Sequence, residues 1–483
     1  MMTTSTAHEA AVMAAACATL PTTLPALPDQ PWVNWARTAG CLPALSCYPR
    51  SADDLCRIVR FARAAGRRVR AVGTGHSWSA LVPTSDILVY MAGLDDVVMD
   101  LHEPAHPRVI VGGGATVRQV NAVLEQYGYA LPFNVVLESV RFGGLVATGS
   151  HGSGWNNRTL SDLVHAIEIV DAAGELRRFE AGVDAAEVLS AARMHLGMFG
   201  LTASITLNVQ PTWNVRACDR LVPLAEVLPN LKEWVLGHEN LDLFWWPFCE
   251  RLWVKSWDRS DEPVTARPRH NRADAAWAWA TSHMHRGALG LCRAAPPLTP
   301  AICRGLQPFT PSRGDRVVPV VEAIHYRRAI EVARMGCLEV AFKIDPDFAG
   351  VRWAIEMALG RVRAYAAAGQ YPLNVTLNAR FIHTSDCLLS PAYGPGHTCY
   401  IEILGAGDPA LWQRFSGEVA LDWLKLPQAL PHWAKQYRHI PGILEHLRAG
   451  LGSNIARFNR VKAELGVDPE GMFLNDTLRE LFA

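Results

Sequence analysis

Lysine is nearly missing from this chain: only 6 of its 46 basic residues are Lys, and the rest are Arg. A GC-rich coding bias explains that skew most simply, and it makes each remaining Lys more conspicuous. An excess of either charge is missing too, because 46 Lys and Arg balance 46 Asp and Glu. Zero net charge argues against a partner bound by phosphate neutralisation, so no nucleic acid is expected. No run reaches 18 uninterrupted apolar residues, so no transmembrane segment is expected. The N-terminus lacks the positive region of a secretory signal, since no Lys or Arg precedes Arg37. The eleven Cys are odd in number and scattered, and none forms a CxxC pair. That pattern fits free thiols in a reducing compartment, so a cytoplasmic address is expected rather than a disulfide framework or a zinc site.

What is present is a long, apolar chain. Its 483 residues suit about two to four domains. With 49% apolar and 19% charged residues, a largely disordered chain is excluded. Residues 1–31 read as a loose, Ala/Thr-rich arm. Over residues 32–210, short strands, Gly-rich loops and helices alternate. A helix is predicted from Ser51 to Gly66, with Ser51 as N-cap and Leu55, Ile58, Val59 and Ala62 at helical spacing. A second helix is predicted from Thr116 to Tyr127. Strands are predicted at Arg67–Val72, Arg108–Val111, Val164–Val170, Glu175–Phe179 and Leu201–Val209. The texture changes near Pro211, and residues 241–279 are dense in Trp. Boundaries are therefore expected at 32–210, 211–425 and 426–483.

Three glycine clusters mark the first region: Gly73-Thr74-Gly75-His76-Ser77, Gly112-Gly113-Gly114, and the run from Gly143 to Gly154. Glycine permits positive φ and lets backbone N–H groups crowd around an anion. Any one cluster reads equally well as turn chemistry. Three together, each beside a strand, suit a diphosphate-bearing cofactor. The spacing is not the dinucleotide fingerprint, because Gly73-Thr74-Gly75 lacks a third Gly and no helix follows it directly.

The segment Val72-Gly73-Thr74-Gly75-His76-Ser77-Trp78-Ser79 resembles the flavin-attachment loop of the vanillyl-alcohol-oxidase superfamily. Within it, the match is to the aldonolactone and alditol oxidases, the gulonolactone oxidase group. Four further segments agree in order: 111–116, 147–154, His432-Trp433-Ala434-Lys435, and 468–475. The resemblance implies a two-lobed α+β fold: a flavin-binding domain of that superfamily's PCMH type, with a cap domain over the substrate. It implies FAD, attached through the His76 imidazole to the flavin 8α-methyl. No Cys lies in residues 147–154, so a single covalent link is expected. The other residues expected at the cofactor are Gly73, Thr74, Gly75, Ser77, Thr148, Gly149, Ser150, His151, Gly152 and Gly154, with Gly200 and Ile205 farther along and Lys435 from the C-terminal segment.

The implied reaction is oxidation of a small-molecule alcohol, with O2 reoxidising the flavin to give H2O2. Lys435 is expected near flavin N1, where a cation stabilises negative charge on the reduced ring. Leu377-Asn378-Ala379-Arg380 aligns with a Glu-x-Arg strand of the family, whose first and third residues share a face. Arg380 matches and is expected to hold the substrate oxygen. Asn378 departs, since an amide neither ionises nor acts as a base. His432 is a second polar candidate. Trp245, Trp253 and Trp257 are expected either to line a substrate pocket or to pack between cap and flavin domain. His283-Met284-His285 lacks acidic or Cys neighbours, so no metal is expected. Two other readings stay open. One is the same scaffold acting on a larger, sterol-like metabolite; the other is a ligand-binding protein without flavin.

Overall fold

Three large β-sheets, two in the N-terminal half and one beyond it, organise the chain in a computed structural model that describes residues 24–265, 272–310, 314–325 and 333–482. Most of the expected N-terminal arm lies outside the described residues. The first sheet runs in the order Ala26–Pro28, Leu45–Cys47, Ile87–Tyr90, Val69–Val72, with its last three strands parallel. The second is antiparallel, in the order Leu176–Glu180, Val164–Val170, Leu201–Asn208, Arg108–Gly112, Val97–Asp100.

Local chemistry explains the helices between these strands. Ser51 caps Ala52–Ala64 by accepting the Asp54 amide at 3.1 Å, and Leu55, Ile58, Val59 and Ala62 bury one face. The chain leaves this helix through Gly66 at φ 61°, a conformation that glycine adopts without strain. Val117–Gln126 starts from a reciprocal capping box between Thr116 and Gln119.

The third glycine cluster is not the single loop expected. Its start is a helix, Phe142–Ala147. The Gly143 N–H donates to the Gly113 carbonyl at 3.0 Å, and a Cβ on Gly143 would lie 2.7 Å from that oxygen. On the other side, a Cβ on Gly113 would lie 2.2 Å from the Thr202 carbonyl oxygen. These glycines bring a helix and two strand ends into backbone contact.

The third sheet has eight antiparallel strands. Their order is Gly314–Pro319, Asn214–Pro223, Arg251–Ser260, Leu241–Trp245, Thr376–Ile382, Thr398–Gly405, Gly336–Lys343, Leu430–Pro431. Helices Ala349–Ala367 and Pro409–Trp423 pack against each other, with the Trp423 indole donating to the Ala354 carbonyl at 3.0 Å. The strand register decides which side chains share a row across the sheet. Asn378 pairs with Glu402, and Glu402 pairs with Glu339, forming one row across three strands. Two residues along, Asp242, Arg380 and Tyr400 form the next row.

The end of the chain comes back to its beginning. The Val69 N–H donates to the Met472 carbonyl at 3.0 Å. Arg70 is buried and donates to four carbonyls: Phe473 and Leu81 at 2.6 Å, Leu196 at 3.0 Å and Gly197 at 3.3 Å. Burial lowers its pKa to about 10, which still leaves the guanidinium charged at neutral pH.

Candidate active site

A cavity of about 290 Å³ lies where the three sheets meet. One end is backbone: the loop Gly73–Ser77, the turn holding Thr148, Ser150 and His151, and Gly200 and Thr202. Gly75 and Gly149 have φ of 69° and 68°, so both turns use the left-handed region. The amides of Thr74, Gly75 and Ser77 donate to no backbone carbonyl among the described residues. Such N–H groups on a loop with a left-handed residue suit an anionic group. His76 stands in this wall with its ring stacked on Trp35 at 4.8 Å.

The first loop is stitched to the C-terminal segment. Trp78 N–H donates to the Ala434 carbonyl at 2.7 Å, and Ser77 Oγ donates to the same carbonyl at 3.3 Å. Lys435 Nζ sits 4.6 Å over the Trp78 ring. His76 and Lys435 are therefore held on two joined segments of one wall.

The other end is charged and mostly buried. Lys435 Nζ donates to Glu402 Oε1 and lies 3.7 Å from Glu339 Oε2. Arg380 lies 3.7 Å from both Asp242 Oδ1 and Glu339 Oε1, and 4.0 Å from Glu402 Oε2. Cys337 Sγ donates to Glu402 Oε1 at 2.8 Å. Asn378 Nδ2 donates to Glu402 Oε2 at 2.6 Å. Glu339 Oε1 accepts no hydrogen bond, although it belongs to a residue in the cavity wall.

Burial opposes ionisation of Glu339, Glu402 and Lys435, and their mutual pairing reverses the outcome. Burial would raise Glu339 and Glu402, but Lys435 together with His151 and His432 beside Glu339, and with Arg380 and the Cys337 hydrogen bond beside Glu402, outweighs it, and both carboxyls are held below their usual range. Burial would lower Lys435, but its negative neighbours push it above its ordinary value. Those neighbours are the two carboxylates, because burial raises the Cys337 thiol well above its usual value and keeps it neutral. Burial pushes His432 down to about 3 despite the nearby Glu339. Its Nδ1 accepts the Ala434 amide at 3.1 Å, which puts the proton of the neutral ring on Nε2.

His151, Glu339 and His432 offer ligand atoms all within 4.8 Å of one another. A metal ion there would meet Arg380 and Lys435, which already stand 3.7 Å from the Glu339 carboxylate. His283, from the pair weighed for a metal in the sequence, is exposed, and its Nδ1 donates to the Trp279 carbonyl at 2.9 Å.

The residues singled out from sequence divide in two. Gly73, Thr74, Gly75, His76, Ser77, Thr148, Ser150, His151, Gly200, Arg380, His432 and Lys435 line the cavity. Gly149 shapes the turn from behind, against Met194. Gly152 packs against the Asn134 carbonyl, and Gly154 donates to the Phe381 carbonyl at 2.7 Å, joining the two lobes. Ile205 is fully buried in the second sheet. Asn378 lies behind Glu402 and outside the wall.

The three tryptophans lie in the cap rather than in this wall. Trp245 donates to the Cys249 carbonyl at 2.8 Å, Trp253 packs on Phe244 at 4.9 Å, and Trp257 lies 4.2 Å under Lys255. Trp257 also borders a second, smaller cavity with Trp213 and Arg259. Sequence reading missed Glu339, Glu402, Asp242 and Arg70. The two glutamates carried a signal, as lone charges in the apolar strands Leu338-Glu339-Val340 and Ile401-Glu402-Ile403.

Residues 43–180 match the family described as an FAD binding domain, and residues 205–481 match the D-arabinono-1,4-lactone oxidase family. The chain belongs to the D-arabinono-1,4-lactone oxidase family. As a member it is an FAD-dependent oxidoreductase. The L-gulono-1,4-lactone dehydrogenase of Mycobacterium tuberculosis is 27% identical over 456 residues, covering 93% of this chain and 98% of that protein. The L-gulonolactone oxidase of Bos taurus is 26% identical, covering 93% and 97%. The D-arabinono-1,4-lactone oxidase of Saccharomyces cerevisiae is 28% identical over 235 residues, covering 48% and 44%. A cholesterol oxidase from B. sterolicum superposes with a TM-score of 0.82 at 18% identity, covering 96% of this chain and 98% of that one. That likeness is one of fold, and it agrees with the two-lobed flavin-binding architecture.

Proposed function

We propose that this member of the family oxidises a CH–OH group of an aldonolactone or related polyol. The observation that carries the proposal is a single cavity with anion-binding backbone loops at one end and a charged, hydrogen-bonding floor at the other. The N–H groups of Thr74, Gly75 and Ser77 suit the diphosphate of FAD, and we assign an 8α-histidyl link to His76, which lines the cavity. FAD bound there supplies the two-electron acceptor, with O2 as terminal oxidant giving H2O2. The rest of the chemistry belongs to this chain. Lys435 stays an ammonium and puts fixed positive charge where negative charge develops. Arg380, held 3.7 Å from the Glu339 and Asp242 carboxylates, holds the substrate oxygen. A polyhydroxylated substrate matches such a floor better than a hydrocarbon skeleton, because buried charges need polar partners. All ten described cysteines are free, which supports a reducing, cytoplasmic setting.

The test is anaerobic mixing of the yellow enzyme with L-gulono-1,4-lactone, D-arabinono-1,4-lactone, an alditol and cholesterol. Bleaching by a lactone or the alditol is expected, and bleaching by cholesterol alone would replace this reading. Acid precipitation should leave the colour on wild-type protein and release it from H76A.

A further inference from the structure

Two buried cations, Arg380 and Lys435, share the floor of the cavity, and position 378 beside them is an amide. An unpaired buried charge costs several kcal/mol, so a carboxylate must serve them from somewhere. Among the described residues, Asp242 and Glu339 stand 3.7 Å from Arg380, Glu339 stands 3.7 Å from Lys435, and Glu402 is the carboxylate that hydrogen-bonds Lys435 while lying 4.0 Å from Arg380. It stands directly across from Asn378 on the neighbouring strand. Its Oε1 accepts from Lys435 Nζ and from Cys337 Sγ. Its Oε2 accepts from Asn378 Nδ2 at 2.6 Å and lies 4.0 Å from Arg380. With these partners Glu402 is well occupied, whereas Glu339 Oε1 is buried, accepts no hydrogen bond and faces His151 Nε2 at 3.6 Å and Arg380 at 3.7 Å.

We propose that Glu402 is the positioning carboxylate of the site, fixing Lys435 and Arg380 through the Thr398–Gly405 strand, with Asn378 as the amide that orients it. Opposed positions on paired strands hold their Cβ atoms about 4.5–5.5 Å apart. A carboxylate and an amide on such a pair can trade places without changing the row, the net charge or the number of polar atoms. The mechanical role thus belongs to the pair of positions, and the charge to whichever strand carries it. The kinetic readout rests on the oxidation reading above; the melting readout does not.

The experiment compares flavin-loaded wild type, E402Q, E402N, N378E and the exchange N378E/E402N. The first readout is the limiting rate of anaerobic flavin reduction by L-gulono-1,4-lactone, followed with pH. E402Q should lose about 30-fold or more in that rate, the scale of a lost charge-assisted contact. Its basic limb should move to lower pH, because Lys435 loses the anion that favours its proton. The exchange should recover to within about 5-fold of wild type and restore the limb, while E402N and N378E alone should not. The second readout is the melting temperature, for which the exchange should recover at least half of the drop caused by E402N. A normal rate and pH profile in E402Q, or an exchange no better than E402N, would overturn the proposal. If no lactone reduces the wild-type flavin, the oxidation reading fails. The melting comparison then decides on Glu402 alone, and a drop left unrecovered by the exchange sinks it.

Discussion

One end of the cavity is backbone from short loops, and the other is side chains brought together across strands. The Gly73–Ser77 loop and the Thr148–His151 turn present backbone, and their shape depends on small residues at tight approaches. The opposite floor presents side chains from three strands and a loop: Glu339, Arg380, Glu402 and Lys435. The first end is specified by sterics and the second by charge balance. The two ends should therefore fail differently when altered.

The largest effect should come from the charged end. Lys435→Ala is expected to slow flavin reduction by about 10²–10³-fold, the scale of a lost preorganised charge. Stopped-flow reduction over a range of lactone concentrations checks this, and a rate within a few-fold of wild type would remove Lys435 from the chemistry. At the backbone end, Gly113→Ala should act on stability instead. The added Cβ would lie 2.2 Å from the Thr202 carbonyl oxygen, and such overpacking costs about 1–3 kcal/mol. Chemical unfolding and flavin retention, measured together, report it.

Acid should also reach the charged end first. Folding holds His432 neutral down to about 3, against an ordinary value of about 6.5. Its contribution is thus complete above about pH 6.5 and is lost as pH falls toward 3. Glu339 and Glu402, held low, contribute above about pH 4.3 and lose that contribution only as pH falls through their depressed values. In His432→Asn, the slope of unfolding free energy between pH 6.5 and 4.5 should shrink by about one proton. An unchanged slope would show that His432 is not held neutral by the fold. The smallest kinetic effect belongs to the cap: Trp253→Phe should cost about 1–3 kcal/mol of stability while leaving the lactone KM within about 2-fold. A large rise in KM would bring the cap tryptophans back to the substrate.

The same division governs what was legible in the sequence. The helices Ala52–Ala64 and Val117–Gln126 and the strand Val164–Val170 follow from capping and periodicity, which are local. His76 and Lys435 sit inside contiguous motifs, so the resemblance reached them. Glu402 could be noticed as a charge in an apolar strand. That it faces Asn378 and Glu339 depends on the register of three strands, which only tertiary pairing sets. Asn378 therefore reads from sequence as a lost charge, and in the structure that charge stands one strand away. The tryptophans mislead for the opposite reason. Their density suggests a binding surface, but Trp245, Trp253 and Trp257 are all buried.

Arg70 has a consequence for how the protein is made. Its guanidinium joins the carbonyls of Leu81, Leu196, Gly197 and Phe473, so an early strand is completed by a residue near the end of the chain. Lys435 likewise closes the cavity from a late segment. Domains generally fold as they emerge from the ribosome. Here the N-terminal lobe emerges with its cofactor wall unfinished. The Arg70 cluster is therefore completed only once Phe473 has been made.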